Sequence, residues 1–146
     1  MNIDLSGKIA VITGATGELG RVMARTLAGC GADVAVHLRD GYAAVPAFLP
    51  PHERRALVLI DPPYEDVGEF DSVLRALVAG WQKFPSGVFV VWYPVKSRAP
   101  VRAFLDAVKA SKLRDVVAAE FLLREPSDPG RLNGCGVMVV NPPFGF

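Results

Sequence analysis

Apolar and polar positions follow two rhythms along this chain. Short apolar runs at Lys8–Thr13, Asp33–Leu38, Leu57–Ile60 and Gly87–Tyr93 are bounded by Gly, Pro or charged residues and predict strands. Helices are predicted between and after them, over Leu19–Cys30, Tyr42–Leu49, Val67–Trp81 and Pro100–Ala110. In the third helix Phe70, Val73, Leu74, Leu77 and Trp81 share one face; in the fourth, Val101, Phe104, Leu105 and Val108 do. Gly31 suits the left-handed position that stops the first helix, and Pro50-Pro51 ends the second. Two further strands, Val116–Leu123 and Gly136–Val140, flank a turn-rich loop over Arg124–Gly134.

This alternation predicts an α/β fold: a Rossmann-like three-layer sandwich whose mostly parallel sheet is covered on both faces. No repeat, low-complexity tract or linker interrupts it, so residues 1–146 read as a single domain.

Composition narrows the function classes. At 51% hydrophobic and 21% charged, the 146 residues can build one ordered core. No apolar run reaches the roughly 18 residues of a membrane span, and no secretory leader is expected. Cys30 and Cys135 make neither a disulfide framework nor a CxxC pair, so a reducing, cytoplasmic setting is expected. His37 and His52 lack partners at metal-ligand spacing, and no metal is expected. A net charge of +1 gives no global basic field for nucleic acid. Locally, though, Lys96, Arg98, Arg102, Lys109, Lys112 and Arg114 face only one acid, Asp106. Arg98, Arg102, Lys109 and Lys112 fall roughly on one helical face and are candidates for RNA phosphates. An ordinary solvated face accounts for them equally well.

Two motifs carry candidate chemistry. TGATGELG places Gly14, Gly17 and Gly20 between a strand and a helix. In that context glycines let the backbone approach a nucleotide at a helix N-terminus. LVLIDPPYE places Asp61, Pro62, Pro63 and Tyr64 at a strand end, where open α/β sheets bind ligands. This tetrapeptide suits methylation of an exocyclic amine. The lone pair of such an amine is delocalised into the ring. The Asp61 carboxylate and the Pro62 carbonyl could accept its two N–H groups, hold it pyramidal and offset developing positive charge. Tyr64 offers a flat face to an unstacked base.

Residues 1–39, through LSGKIAVITGATGELGR and ADVAVHLR, resemble the start of a short-chain dehydrogenase/reductase. That resemblance implies NAD or NADP at the glycine turn, with Arg39 favouring NADP. The catalytic Tyr and Lys of such reductases do not follow: Tyr93 and Lys96 are one residue too close, with Ser97 where the lysine should stand. From Asp40 to Phe146 the chain resembles the large-subunit ribosomal RNA adenine-N6 methyltransferases of the RlmJ type. The stretches that carry this are DGYAAVPAFLPPHERRALVLIDPPYE, KFPSGVFVVWYPVKSR and GCGVMVVNPPF. The resemblance implies S-adenosylmethionine as donor and 23S ribosomal RNA as partner. It makes Asp61 catalytic and has Asp40 and Gly41 contact the donor. It assigns NPPF at 141–144 to a late strand away from the donor crevice.

The chain therefore reads as a composite with a join between Val34 and Gly41, truncated relative to either family. Gly14, Gly17 and Gly20 are expected to stand in for the lost donor-binding glycines. Adenine-N6 methylation of ribosomal RNA is the leading expectation. A nicotinamide-dependent reductase and a non-catalytic composite are the alternatives.

Overall fold

The computed structural model describes residues 3–13, 18–37 and 40–143. They divide into two compact units, Met1–Ala47 and Phe48–Phe146.

The first unit holds strand β1 (Ile9–Thr13), helix α1 (Glu18–Gly29), strand β2 (Asp33–His37) and helix α2 (Gly41–Ala47). β1 and β2 pair in parallel, Ile9 opposite Asp33 and Thr13 opposite His37. Gly31 ends α1 at φ +93°, and a Cβ there would meet the Ser6 side chain, so glycine is required twice over. The sequence places these elements to within a residue or two, except that α2 is shorter than expected. Asp40 caps it: the carboxylate accepts the Tyr42 N–H at 2.9 Å and the carbonyl accepts the Ala44 N–H at 3.1 Å.

The second unit holds β3 (Leu57–Ile60), α3 (Glu69–Lys83), β4 (Val88–Val95), α4 (Arg98–Ala110), β5 (Val116–Leu122) and β6 (Gly134–Val140). The sheet order is β3-β4-β6-β5. β3 and β4 are parallel, whereas β6 runs antiparallel to both β4 and β5. This corrects the expectation of a mostly parallel sheet: the second sheet is mixed. The cause lies in the connections. β3 and β4 are joined through a helix, as parallel strands must be. β5 and β6 are joined only by the turn-rich loop after Leu122, which returns the chain beside itself.

The core sits along alternate positions of the central strands. Phe89, Val91, Tyr93 and Val95 of β4 and Met138 and Val140 of β6 are buried. Against them lie Val73, Ala76 and Leu77 of α3 and Val101, Phe104 and Val108 of α4, the faces that helical spacing picks out. Coverage of the sheet is uneven: Leu57, Leu59, Val117 and Phe121, on its outer strands, are exposed. β4 runs two residues further than its apolar run predicts, through Pro94. Pro94 lies past the end of β3, where β4 has a neighbour on one side only and a missing N–H is tolerated. Pro100 falls in the first turn of α4, where its nitrogen needs no partner.

Candidate active site

Asp61 follows Ile60 at the C-terminal end of β3 and is exposed; Pro62 is half-buried. Partial burial pushes the Asp61 carboxyl above its ordinary range. Tyr64 is placed differently from Asp61. Its backbone takes the left-handed conformation at φ 55°, which turns the ring inward. The ring is buried, 5.0 Å from Phe70 and edge-on to Trp92 at 6.2 Å. Its hydroxyl donates to the Trp92 carbonyl at 2.8 Å. Burial, then the carboxylates of Asp61 and Glu69, raise that hydroxyl well above the ordinary tyrosine range. Tyr64 therefore anchors the loop on β4, with Asp61 left exposed and Pro62 half-buried.

Beside this loop, between the starts of α3 and α4, lies a cavity of about 440 Å³. Tyr64, Phe70 and Phe104 line it, together with Lys96 and Ser97. Phe70 continues the aromatic contact inward: its ring lies 5.0 Å from Phe104, which stands 5.8 Å from Tyr93. Asp61 does not line the cavity. Periodicity marks Phe70 and Phe104 as core; nothing in it signals that they wall a cavity. Asn133 is a further residue that pattern reading misses. It is buried, and its amide nitrogen donates to the carbonyls of Lys96 (2.8 Å), Asp128 (2.8 Å) and Arg131 (3.3 Å). That ties the β5–β6 loop to the segment entering α4.

The other sequence-predicted residues are dispersed. Asp40 and Gly41 lie in the first unit at the start of α2. A Cβ on Gly41 would come within 3.0 Å of the Thr13 hydroxyl oxygen, so glycine permits the close approach to the end of β1. Gly20 lies in the first turn of α1; Gly14, Gly17 and Arg39 lie outside the described residues. On α4, Arg98 is already engaged, with Nε and Nη2 donating to the Glu125 carboxylate at 2.9 and 3.1 Å. Lys109 pairs with Asp106 at 3.7 Å. Arg102 and Lys112 are exposed and make no ion pair among the described residues, and Lys112 lies past the helix end.

The structure separates Tyr93 from Lys96. Tyr93 is buried, its hydroxyl donating to Glu120 at 3.3 Å, while Lys96 is exposed. The reductase pair is therefore not assembled. Asn141 of the second proline motif has a local structural task. Its side chain donates to the carbonyls of Pro85 and Gly87, both at 3.4 Å, at the end of β4 remote from Asp61. No cluster of potential metal ligands occurs among the described residues, and no helix there is long and apolar enough to cross a membrane.

Residues 10–146 match the family model described as "Ribosomal RNA large subunit methyltransferase D, RlmJ", and the chain belongs to that family. The protein named Ribosomal RNA large subunit methyltransferase J from Haemophilus influenzae is 38% identical over 112 residues, 77% of this chain and 40% of its own length. Its namesake from Escherichia coli is 33% identical over 109 residues, 75% of this chain and 39% of its own. The crystal structure of protein LPL1258 from Legionella pneumophila aligns at TM-score 0.79 and 30% identity, over 93% of this chain and 50% of that one. The chain thus spans about 40% of the curated relatives it matches. The family match crosses the expected join at residues 34–41 and takes in the glycine turn. The comparisons support the methyltransferase resemblance and give none to the reductase one.

Proposed function

We propose that the chain carries the amine-holding site of an S-adenosylmethionine-dependent methyltransferase acting on an adenine N6 in large-subunit ribosomal RNA. The observation that supports this reading most is the Asp61-Pro62-Pro63-Tyr64 turn, with Tyr64 anchored to the Trp92 carbonyl and Asp61 left exposed. Asp61 and the Pro62 carbonyl accept the two amine N–H groups and draw the nitrogen lone pair out of ring conjugation. That nitrogen would form the new N–C bond as the methyl–sulfur bond of the donor breaks and the thioether leaves, and Asp61 stands ready for the proton it releases. Pro62 and Pro63 stiffen the loop so that the accepting carbonyl keeps its direction.

The donor, when bound, supplies an electrophilic methyl group on a sulfonium. The residues present fit the donor: Gly41, without a side chain, brings the start of α2 close against Thr13 at the end of β1, and Asp40 and Gly20 stand at helix starts of the same unit. Asp40, Gly41 and the Gly14, Gly17 and Gly20 turn would hold it. NADP finds no comparable support. The partner is ribosomal RNA and the reaction's setting the cytoplasm; Arg102 and Lys112 are the exposed cations best placed for phosphate, with Arg98 and Lys109 sharing their charge with acids.

Asp61→Ala tests the reading directly. Methyl transfer to ribosomal RNA should fall by about 100-fold or more while the fold persists; undiminished transfer would remove Asp61 from the chemistry.

A further inference from the structure

Asp61 does not line the cavity between α3 and α4, although Tyr64 of the same turn does. The cavity's own chemistry describes its guest. Tyr64, Phe70 and Phe104 give it aromatic walls, and Pro94 and Pro100 add flat apolar surface. Lys96 and Ser97 supply donors, while Asp66, Glu69 and Asp71 supply acceptors on the α3 side. About 440 Å³ lies within the size of small-molecule sites, roughly 300–1,000 Å³. A guest with flat faces and a hydrogen-bonding edge is matched here. A phosphate inside is not, because three carboxylates oppose it.

A place for negative charge lies next door. Ala103 lines both this cavity and a shallower groove formed with Arg98, Arg102 and Asp106. Arg98 is held by Glu125, so Arg102 is the cation of that groove without an ion pair among the described residues. An apolar, acid-edged cavity beside an arginine suits a base-plus-phosphate unit.

We propose that the cavity and groove form a seat for one nucleotide of single-stranded RNA, its base against Phe70 and Pro100 at the cavity mouth and its phosphate on Arg102. This nucleotide is a neighbour of the adenine presented to Asp61; only the neighbour's identity rests on the methyl-transfer reading, and the seat itself does not. Base stacking on the half-buried Phe70 ring adds affinity that a bare sugar-phosphate chain lacks.

The test titrates the full chain with two fluorescein-labelled probes, a short oligoadenylate and the same ribose-phosphate chain without bases. The oligoadenylate should bind about tenfold more tightly. Ala103→Trp, an exposed helix position at the shared mouth, should abolish that preference. Arg102→Gln should weaken both probes and flatten the salt dependence by about one phosphate contact. A readout without substitution is the amide shift of Gly68, Lys96 and Ala103 on adding adenosine 5′-monophosphate. Equal affinity for the two probes, or shifts that avoid these amides, overturns the seat. Methyl transfer by the Asp61→Ala chain separates the two readings. Transfer that persists while the base preference stands sinks the role of Asp61 and leaves the seat; transfer lost while the preference is absent does the reverse.

Discussion

Asp61 is where a single proton decides the chemistry. Only its carboxylate form accepts an amine N–H with full strength. Burial raises its pKa, so the protonated form persists to higher pH than in an ordinary aspartate. The sign follows: kcat/KM for methyl transfer should climb as pH rises through that elevated pKa, with an acid limb above the usual aspartate range. Asp61→Asn keeps an acceptor but cannot titrate, so its profile should be lower and flat over the same limb. A wild-type profile with its limb in the ordinary aspartate range would show that burial does not set this group. Gly136 is the second residue whose identity is dictated by a neighbour. A Cβ there would drive into the ring of Tyr93, which is fully buried beneath Phe104. Gly136→Ala should cost about 3 kcal/mol in chemical unfolding, as overpacking does. Adding Tyr93→Leu should recover part of that, giving a coupling of about 1 kcal/mol or more between the two sites. Independent, additive costs would mean the ring has room to move. The chemistry at Asp61 is legible from four letters, because proline, acid and aromatic each have one task there. The need for Gly136 is not, because it arises from a partner 43 positions away across β4 and β6.

At the scale of elements, the β5–β6 loop is held by two devices of different worth. Asn133 is buried and bonded to three carbonyls, so Asn133→Ala removes all three bonds and leaves a gap under the loop. A loss of about 2 kcal/mol is expected, with faster hydrogen exchange at Leu123 and Arg124, whose N–H groups both bond the Asn133 carbonyl. The Arg98–Glu125 pair is exposed at both ends, and solvent leaves it little weight in stability. Its consequence is electrostatic. Glu125→Gln releases the Arg98 guanidinium and should tighten RNA binding several-fold at low salt, with the gain vanishing as salt rises. Unchanged affinity would remove Arg98 from the RNA contacts. Element positions are read well from sequence here because period and punctuation agree: Gly31 at the end of α1 and the apolar stripes of α3 and α4 each mark what forms. The direction of β6 is not read, because strand letters carry no polarity. Only the loop length after Leu122 distinguishes a return from a crossover, and that loop is long enough to mimic either.

For the molecule as a whole, the two units differ in how much apolar surface each retires. α1 buries no residue, and of β1 only Ile12 is buried. In the second unit β4 buries Phe89, Val91, Tyr93, Pro94 and Val95, and β6 buries Met138, Val139 and Val140. Local opening follows such differences. Amides of β1, β2 and α1 should therefore exchange orders of magnitude faster than those of β4 and β6, and the second unit should survive denaturant concentrations that melt the first. This contrast also gives the donor proposal a readout independent of turnover. A ligand that binds only the folded first unit stabilises it by mass action. S-adenosylmethionine added in excess should slow exchange in β1 and at the start of α2, next to Gly41, while NADPH at the same concentration should not. Equal protection by both would point to a generic nucleotide site at the glycine turn. Protection by NADPH alone would return the first unit to reductase-type binding. Exchange unchanged by either would deny Asp40, Gly41 and Gly20 a donor-holding role, and leave the Asp61 turn as the chain's one piece of methyltransferase chemistry.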